Sequence, residues 1–371
     1  MLDRRKLLRL TGAALGVAVP AVAVTAAQTV GQAHADDDSD TDSGIDEAEV
    51  GAVTATKRFD LTAASTMLLR EVPLSGTRVL QSFAFDNAQA QLFTVQLVDG
   101  GLQLPGETRT YTGAERQAQG DLCLTRLDLS GNILGTMYLR GFGHGVQIGV
   151  ESTTAGSYLW TETAAVQAAN SDGTYSGWGS CLARFKFANG TTLTATSSQL
   201  TQYTLESGVD RTTVAVDPVN NRLTVRCRVS GAFRYRLYDL AAFKTGGRTI
   251  LADVAQPADL MPDYPDTFQG FATYGSYLYL LAGTAYGTDG SVSPDGNTFI
   301  TCVNWNTGAV TEQKLTKAGY TLPYREPEGM AIQIPDPANP TAVRLCSGFA
   351  STTSDTDTRK RASVYYKDVL V

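Results

Sequence analysis

From residue 79 onward, apolar and polar residues alternate in runs of five to seven, the period of strands with one face buried. The runs repeat. A polar residue, a small residue and an alternating strand recur as Gln81-Ser82-Phe83-Ala84-Phe85, His144-Gly145-Val146-Gln147-Ile148 and Thr212-Thr213-Val214-Ala215-Val216. Gln269-Gly270-Phe271-Ala272-Thr273 and Glu328-Gly329-Met330-Ala331-Ile332 complete the set, with spacings of 63, 68, 57 and 59 residues. A second strand follows each copy: Gln91–Val95, Tyr158–Trp160, Arg222–Val225, Tyr277–Leu280 and Val343–Cys346. A third phrase recurs as Leu124–Asp128, Leu182–Lys186, Phe233–Leu237 and Ile300–Asn304, usually followed by a Gly or Asn turn and another short strand. Each repeat therefore holds about four strands, the content of one propeller blade. Five copies predict an all-β, five-bladed propeller of four-stranded blades. The orphan strand Thr66–Val72 and the last strand Ala362–Lys367 are expected to share one blade, which joins the two ends and removes an exposed sheet edge.

The pattern changes before residue 58. Asp3-Arg4-Arg5-Lys6 precedes a weakly apolar stretch from about Leu10 to Ala27, and Ala33-His34-Ala35 then offers a small-x-small cleavage site. This predicts a twin-arginine signal over 1–35 and export to the surface or exterior, with no membrane span after cleavage. An acidic, disordered tether is expected over 36–57 and the propeller over 58–371. The net charge of −7 is concentrated at this end: residues 1–50 hold nine acidic and four basic residues. The remainder carries 26 basic and 28 acidic residues, so no basic excess argues for nucleic acid. Cys123, Cys181, Cys227, Cys302 and Cys346 form no CxxC or Cys/His cluster, and each sits in or beside a β-like run. Neither a metal nor another cofactor is expected, and most of the thiols are read as buried.

In a propeller the first strand of each blade lines the central channel. The polar residues that open those strands, Gln81, His144, Thr212, Gln269 and Glu328, are therefore expected to form one ring at a mouth. Gln147, Arg211, Arg325 and Glu326 are neighbours that can join it. After cleavage His144 would be the only histidine, flanked by Gly143 and Gly145, where backbone can approach a ligand closely. It can serve as a hydrogen-bond partner, as a general base or acid, or as a satisfied channel residue. Arg325-Glu326-Pro327-Glu328 offers a two-pronged anion clamp or a loop-fixing ion pair. Phe142, Tyr175, Trp178, Tyr264, Phe268 and Tyr324 supply aromatic surface near the same mouth.

The phrases Gly-Phe-Gly-His-Gly-Val-Gln-Ile-Gly-Val-Glu, Phe-Gln-Gly and Arg-Glu-Pro-Glu-Gly-Met resemble the TagC-like family, often named teichoic acid biosynthesis protein C. That family is grouped with receptor-binding tail proteins of small staphylococcal phages. The resemblance covers most of residues 58–371 and implies a five-bladed propeller that meets teichoic acid or a related glycan. It maps onto Gln81, His144, Gln147, Gln269, Arg325, Glu326 and Glu328. A twin-arginine signal departs from the phage members and implies a cellular, exported role.

Three functions follow. The first is a monomeric propeller that binds a cell-wall glycan or teichoic-acid-like polymer at the channel mouth. The second is a polysaccharide hydrolase or lyase, with catalytic candidates His144, Arg325, Tyr324 and Glu328, and Arg211 as a further cation. The third is a structural or protein-interaction propeller.

Overall fold

The computed structural model describes residues 52–354 and 356–371. The expected signal over 1–35, and the expected tether up to residue 51, lie outside the described residues.

The strands assemble into five sheets. Blade 1 runs outward as Leu80–Asp86, Gln91–Leu97, Leu122–Asp128 and Ile133–Arg140. Blade 2 is Gly149–Thr153, Gly156–Ala169, Tyr175–Lys186 and Thr201–Tyr203. Blade 3 is Val209–Asp217, Arg222–Val229, Ala232–Asp239 and Ala252–Ala255. Blade 4 is Phe268–Tyr274, Tyr277–Ala282, Phe299–Asn304 and Val310–Leu315. In blade 5, Glu326–Gln333, Arg344–Ser351 and Arg361–Lys367 are completed by Thr66–Val72. The first strand of each blade packs against the first strand of the next, and that of blade 5 returns to blade 1. A five-bladed propeller results, as the repeat predicts.

Closure uses the expected strands. Thr66 faces Tyr366 and Val72 faces Ala362 in antiparallel register. A second clasp joins Arg58 and Val371 through reciprocal backbone hydrogen bonds of 3.0 and 2.9 Å. Residues ahead of 58 also pack on the propeller. Val53 is buried, and Asn306 fixes its backbone through bonds of 2.7 and 2.8 Å. Blade 1 also departs from four strands: Thr192–Thr194, from the connection inside blade 2, adds in parallel to Ile133–Arg140 and covers its outer edge.

The core lies between the blades, where apolar faces of adjacent sheets meet. One cluster joins Phe93, Leu122 and Leu124 of blade 1 to Leu159 and Phe185 of blade 2. All five cysteines are free thiols; four are buried in the core and Cys181 is half-buried.

Near the axis the backbones meet more closely than side chains allow. A Cβ on Gly270 would lie 2.6 Å from Gly329 Cα, and one on Gly329 would lie 2.7 Å from Ser82 Cα. Gln147 fills the centre of this layer. Its Oε1 accepts from the N–H groups of Phe271 (3.2 Å) and Met330 (3.1 Å), and its Nε2 donates to Met330 O (2.8 Å). One buried amide thereby ties blades 2, 4 and 5 together.

Candidate functional site

A cavity of about 280 Å³ opens where the first strands begin. Gln81, His144, Gln269 and Glu328 all line it, together with Tyr324 and Glu326. Four of the five ring positions therefore converge as expected, although only three open or lie in a strand. His144 stands in an irregular loop, and the first strand of blade 2 begins five residues later at Gly149. Three glycines at 141, 143 and 145, each with positive φ, hold that loop out of the sheet.

The fifth position does not reach the cavity. Thr212 is fully buried, and its hydroxyl donates to Gly179 O (3.2 Å) and Cys181 O (3.1 Å) of blade 2. Gln147 lines a void of about 10 Å³ further along the axis and not the mouth cavity. Arg325 is also turned away from it. Fully buried, it donates through Nε to Ala318 O (2.9 Å), through Nη1 to Thr298 Oγ1 (3.1 Å) and through Nη2 to Thr316 O (2.7 Å). Its guanidinium packs over the rings of Phe349 and Tyr286. It anchors the loop that carries Tyr324, with no ion pair to Glu326.

His144 stacks on Trp178, with ring centroids 4.7 Å apart and planes 19° from parallel. The Arg211 guanidinium lies over the same indole at 4.9 Å. Arg211 takes this place with φ of +48°, a conformation that costs a non-glycine residue roughly 1–3 kcal/mol. His144 Nδ1, Trp178 Nε1 and Arg211 Nε have no hydrogen-bond partner among the described residues. Burial first, then the positive charges of Arg78 and Arg211, push the imidazole down to about 4. At neutral pH it is uncharged and offers one donor and one acceptor.

The opposite wall is acidic. Glu326 accepts the Tyr324 hydroxyl at 2.6 Å. Burial raises the Glu326 carboxyl, partly offset by that bond and by Lys360. Burial, reinforced by the charge of Glu326, holds Glu328 well above the usual carboxylate range. Glu328 therefore holds its proton to higher pH than an ordinary carboxyl does.

Of the other expected aromatics, Phe142 packs on Phe185 in the core and Phe268 packs against Tyr235 and Phe271. Tyr264 packs against Phe299, and Tyr175 is half exposed.

Three cavity or support residues escape a reading of the repeat. Arg78 precedes the first copy, and its burial in the cavity wall lowers its pKa. Gln117 sits on the helix Gly113–Gln119, fixed by a capping box between Thr112 and Glu115. Glu162 lies in the middle of the second strand of blade 2 and is almost fully buried. Its carboxylate accepts the N–H groups of Gly145 and Gly179, each at 2.6 Å, so it splints the His144 loop to the Trp178 strand. A Cβ on Gly143 would collide with this carboxyl group. Glycine there leaves room for the buried acid. Burial pushes Glu162 up to about 7 against the pull of those N–H groups.

The sequence matches the model of the phage 5-bladed beta propeller receptor binding platform domain over residues 79–363. The chain belongs to that family. It is 26% identical over 286 residues to the putative major teichoic acid biosynthesis protein C of Bacillus subtilis (strain 168), covering 74% of this chain. The match spans 57% of that relative's length. Among solved structures, the tail fiber of Staphylococcus aureus phage P68 superposes with a TM-score of 0.58 at 17% identity. That alignment covers 84% of this chain and 54% of the fiber chain, and it supports the propeller fold.

Proposed function

We propose that this protein is exported and that its mouth cavity binds a cell-wall glycan or a teichoic-acid-like polymer. The observation that carries this reading is the convergence of Gln81, Gln269 and Glu328 from three blades, and of His144 from the loop before a fourth, on one cavity with Arg78 in its wall. Amides, a neutral imidazole and carboxyl groups suit hydroxyl-rich ligands, and the arginine suits an anionic group. The receptor-binding family and the teichoic acid name of the relative point the same way.

His144 serves here as a hydrogen-bond partner. An imidazole held near 4 is a weak general base at neutral pH. His144→Ala should weaken polymer binding by about 5- to 150-fold, the equivalent of roughly 1–3 kcal/mol, with an unchanged melting curve. The test is a panel of glycans and wall polymers, read both for retention and for release of fragments. Retention without fragments supports a binding module. One observation favours a second reading, a glycan hydrolase: two carboxyl groups, Glu326 and Glu328, line the same cavity, and burial raises the pKa of both. Fragment release that Glu328→Gln abolishes would select it. No retention on any polymer would return the propeller to a structural role.

The export part of the proposal rests on Arg4-Arg5 and Ala33-His34-Ala35. Replacing both arginines by lysine should block secretion through the twin-arginine route.

A further inference from the structure

The mouth cavity continues beyond its rim. Tyr324 also forms a wall of a larger trough of about 510 Å³, which Tyr286, Tyr320, Thr352 and Lys360 share. The loops before Glu326–Gln333 and after Arg344–Ser351 build it, outside the ring of repeated positions.

This trough is organised. The Tyr286 hydroxyl lies 3.1 Å from both Tyr320 O and Pro294 O and shares its single proton between them, which holds the two loops near each other. Tyr320 is 54% exposed, so its aromatic surface is open to solvent. Lys360 Nζ lies 3.2 Å from the centroid of the Tyr324 ring. The carboxylates nearest in effect, Glu326 and Asp357, are engaged elsewhere. Tyr324 holds the first, while Thr353 Oγ1 (2.7 Å) and Arg359 N (2.9 Å) hold the second. Among the described residues Lys360 has no ion-pair partner, and it faces the trough over an aromatic wall.

The mouth cavity lies at the lower edge of the roughly 300–1,000 Å³ of sites that enclose a drug-sized ligand. The trough falls inside that range, and Tyr324 is common to both. A polymer held at the mouth must place its next unit outside the cavity, and the trough is the adjoining space.

We infer that the trough is a second subsite for the same polymer, where Tyr286 and Tyr320 bear on the next repeat unit and Lys360 pairs with its anionic group. The inference rests on the mouth reading above. The anion is a phosphodiester or a carboxylate, since both present the charged oxygens that an ammonium recognises.

Oligomer length separates the two sites. Binding is measured for glycerol phosphate oligomers of one to six units and, in parallel, for oligogalacturonates of the same lengths. The series whose affinity rises with length identifies the anion. For that series, Lys360→Met and Tyr320→Ala should each lower affinity for trimers and longer chains by about tenfold, with single units unaffected. His144→Ala should weaken every length alike. Melting curves of the Lys360 and Tyr320 variants should match the parent. Length dependence that survives in both variants overturns the second subsite and leaves the mouth reading intact. No binding by either series, together with a silent His144→Ala, overturns both.

Discussion

Glu162→Leu should destabilise the propeller by about 2–6 kcal/mol at pH 5, because two buried N–H groups each lose an acceptor worth roughly 1–3 kcal/mol. The penalty should shrink with pH. The folded-state pKa of Glu162 is raised to about 7, so the native protein binds its proton more tightly than the unfolded chain does. Such a group gives its full stabilisation below the unfolded value near 4.5 and loses it as pH rises through about 7. Between pH 5 and pH 8 the parent should therefore lose about 2–3 kcal/mol through this residue, a loss the leucine variant does not share. Glu328, also raised, acts in the same direction. His144 acts in the opposite direction, since its depressed pKa removes stability as pH falls from 6.5 towards 4. For that reason parent and variant are compared at each pH by urea denaturation. A difference below about 1 kcal/mol at pH 5, or one that does not change by pH 8, would deny Glu162 its role as the splint of the His144 loop.

Gly329→Ala should be almost as damaging, by about 2–5 kcal/mol, with loss of ligand binding. The glycine has φ of +76°, which costs an alanine roughly 1–2 kcal/mol. Its new Cβ would also stand 2.7 Å from Ser82 Cα of the neighbouring blade, so two backbones must separate at a cost of roughly 1–3 kcal/mol. The strain falls on the residue next to Glu328, inside the mouth. Gly101→Ala is the control: φ there is +81°, but nothing lies within 4 Å of the added carbon. It should lose only the conformational part. Equal melting temperatures for the two variants would show that close approach of the blades at the axis is not what Gly329 provides.

The fold was legible because a propeller repeats its hydrophobic pattern, and five copies of one phrase over-determine the blade count. Even the closing pair, Thr66–Val72 with Arg361–Lys367, announced itself as two incomplete repeats. The site was legible as far as it follows that symmetry, which places Gln81, Gln269 and Glu328. His144 reaches the cavity by another route, through a glycine-rich loop that replaces the start of a strand. Symmetry misleads at Thr212, whose short side chain is consumed by carbonyls of the adjacent blade. Proximity in sequence misleads at Arg325, a neighbour of the ring whose guanidinium is taken up by two carbonyls and a hydroxyl away from the mouth. Arg78 and Lys360 could not be found this way, because they belong to connections outside the repeat. Glu162 looks like an ordinary polar residue of an alternating strand. Only the position of two glycine N–H groups from other segments makes it the support of the site.

The most direct measurement is co-sedimentation of the protein with purified bacterial cell walls, before and after chemical removal of their teichoic acid. The account predicts that the parent is retained by intact walls, that stripping the polymer releases it, and that His144→Ala weakens retention on intact walls by about 5- to 150-fold. Equal retention of parent and variant, or retention indifferent to the polymer, would contradict the assignment of the mouth as its binding site.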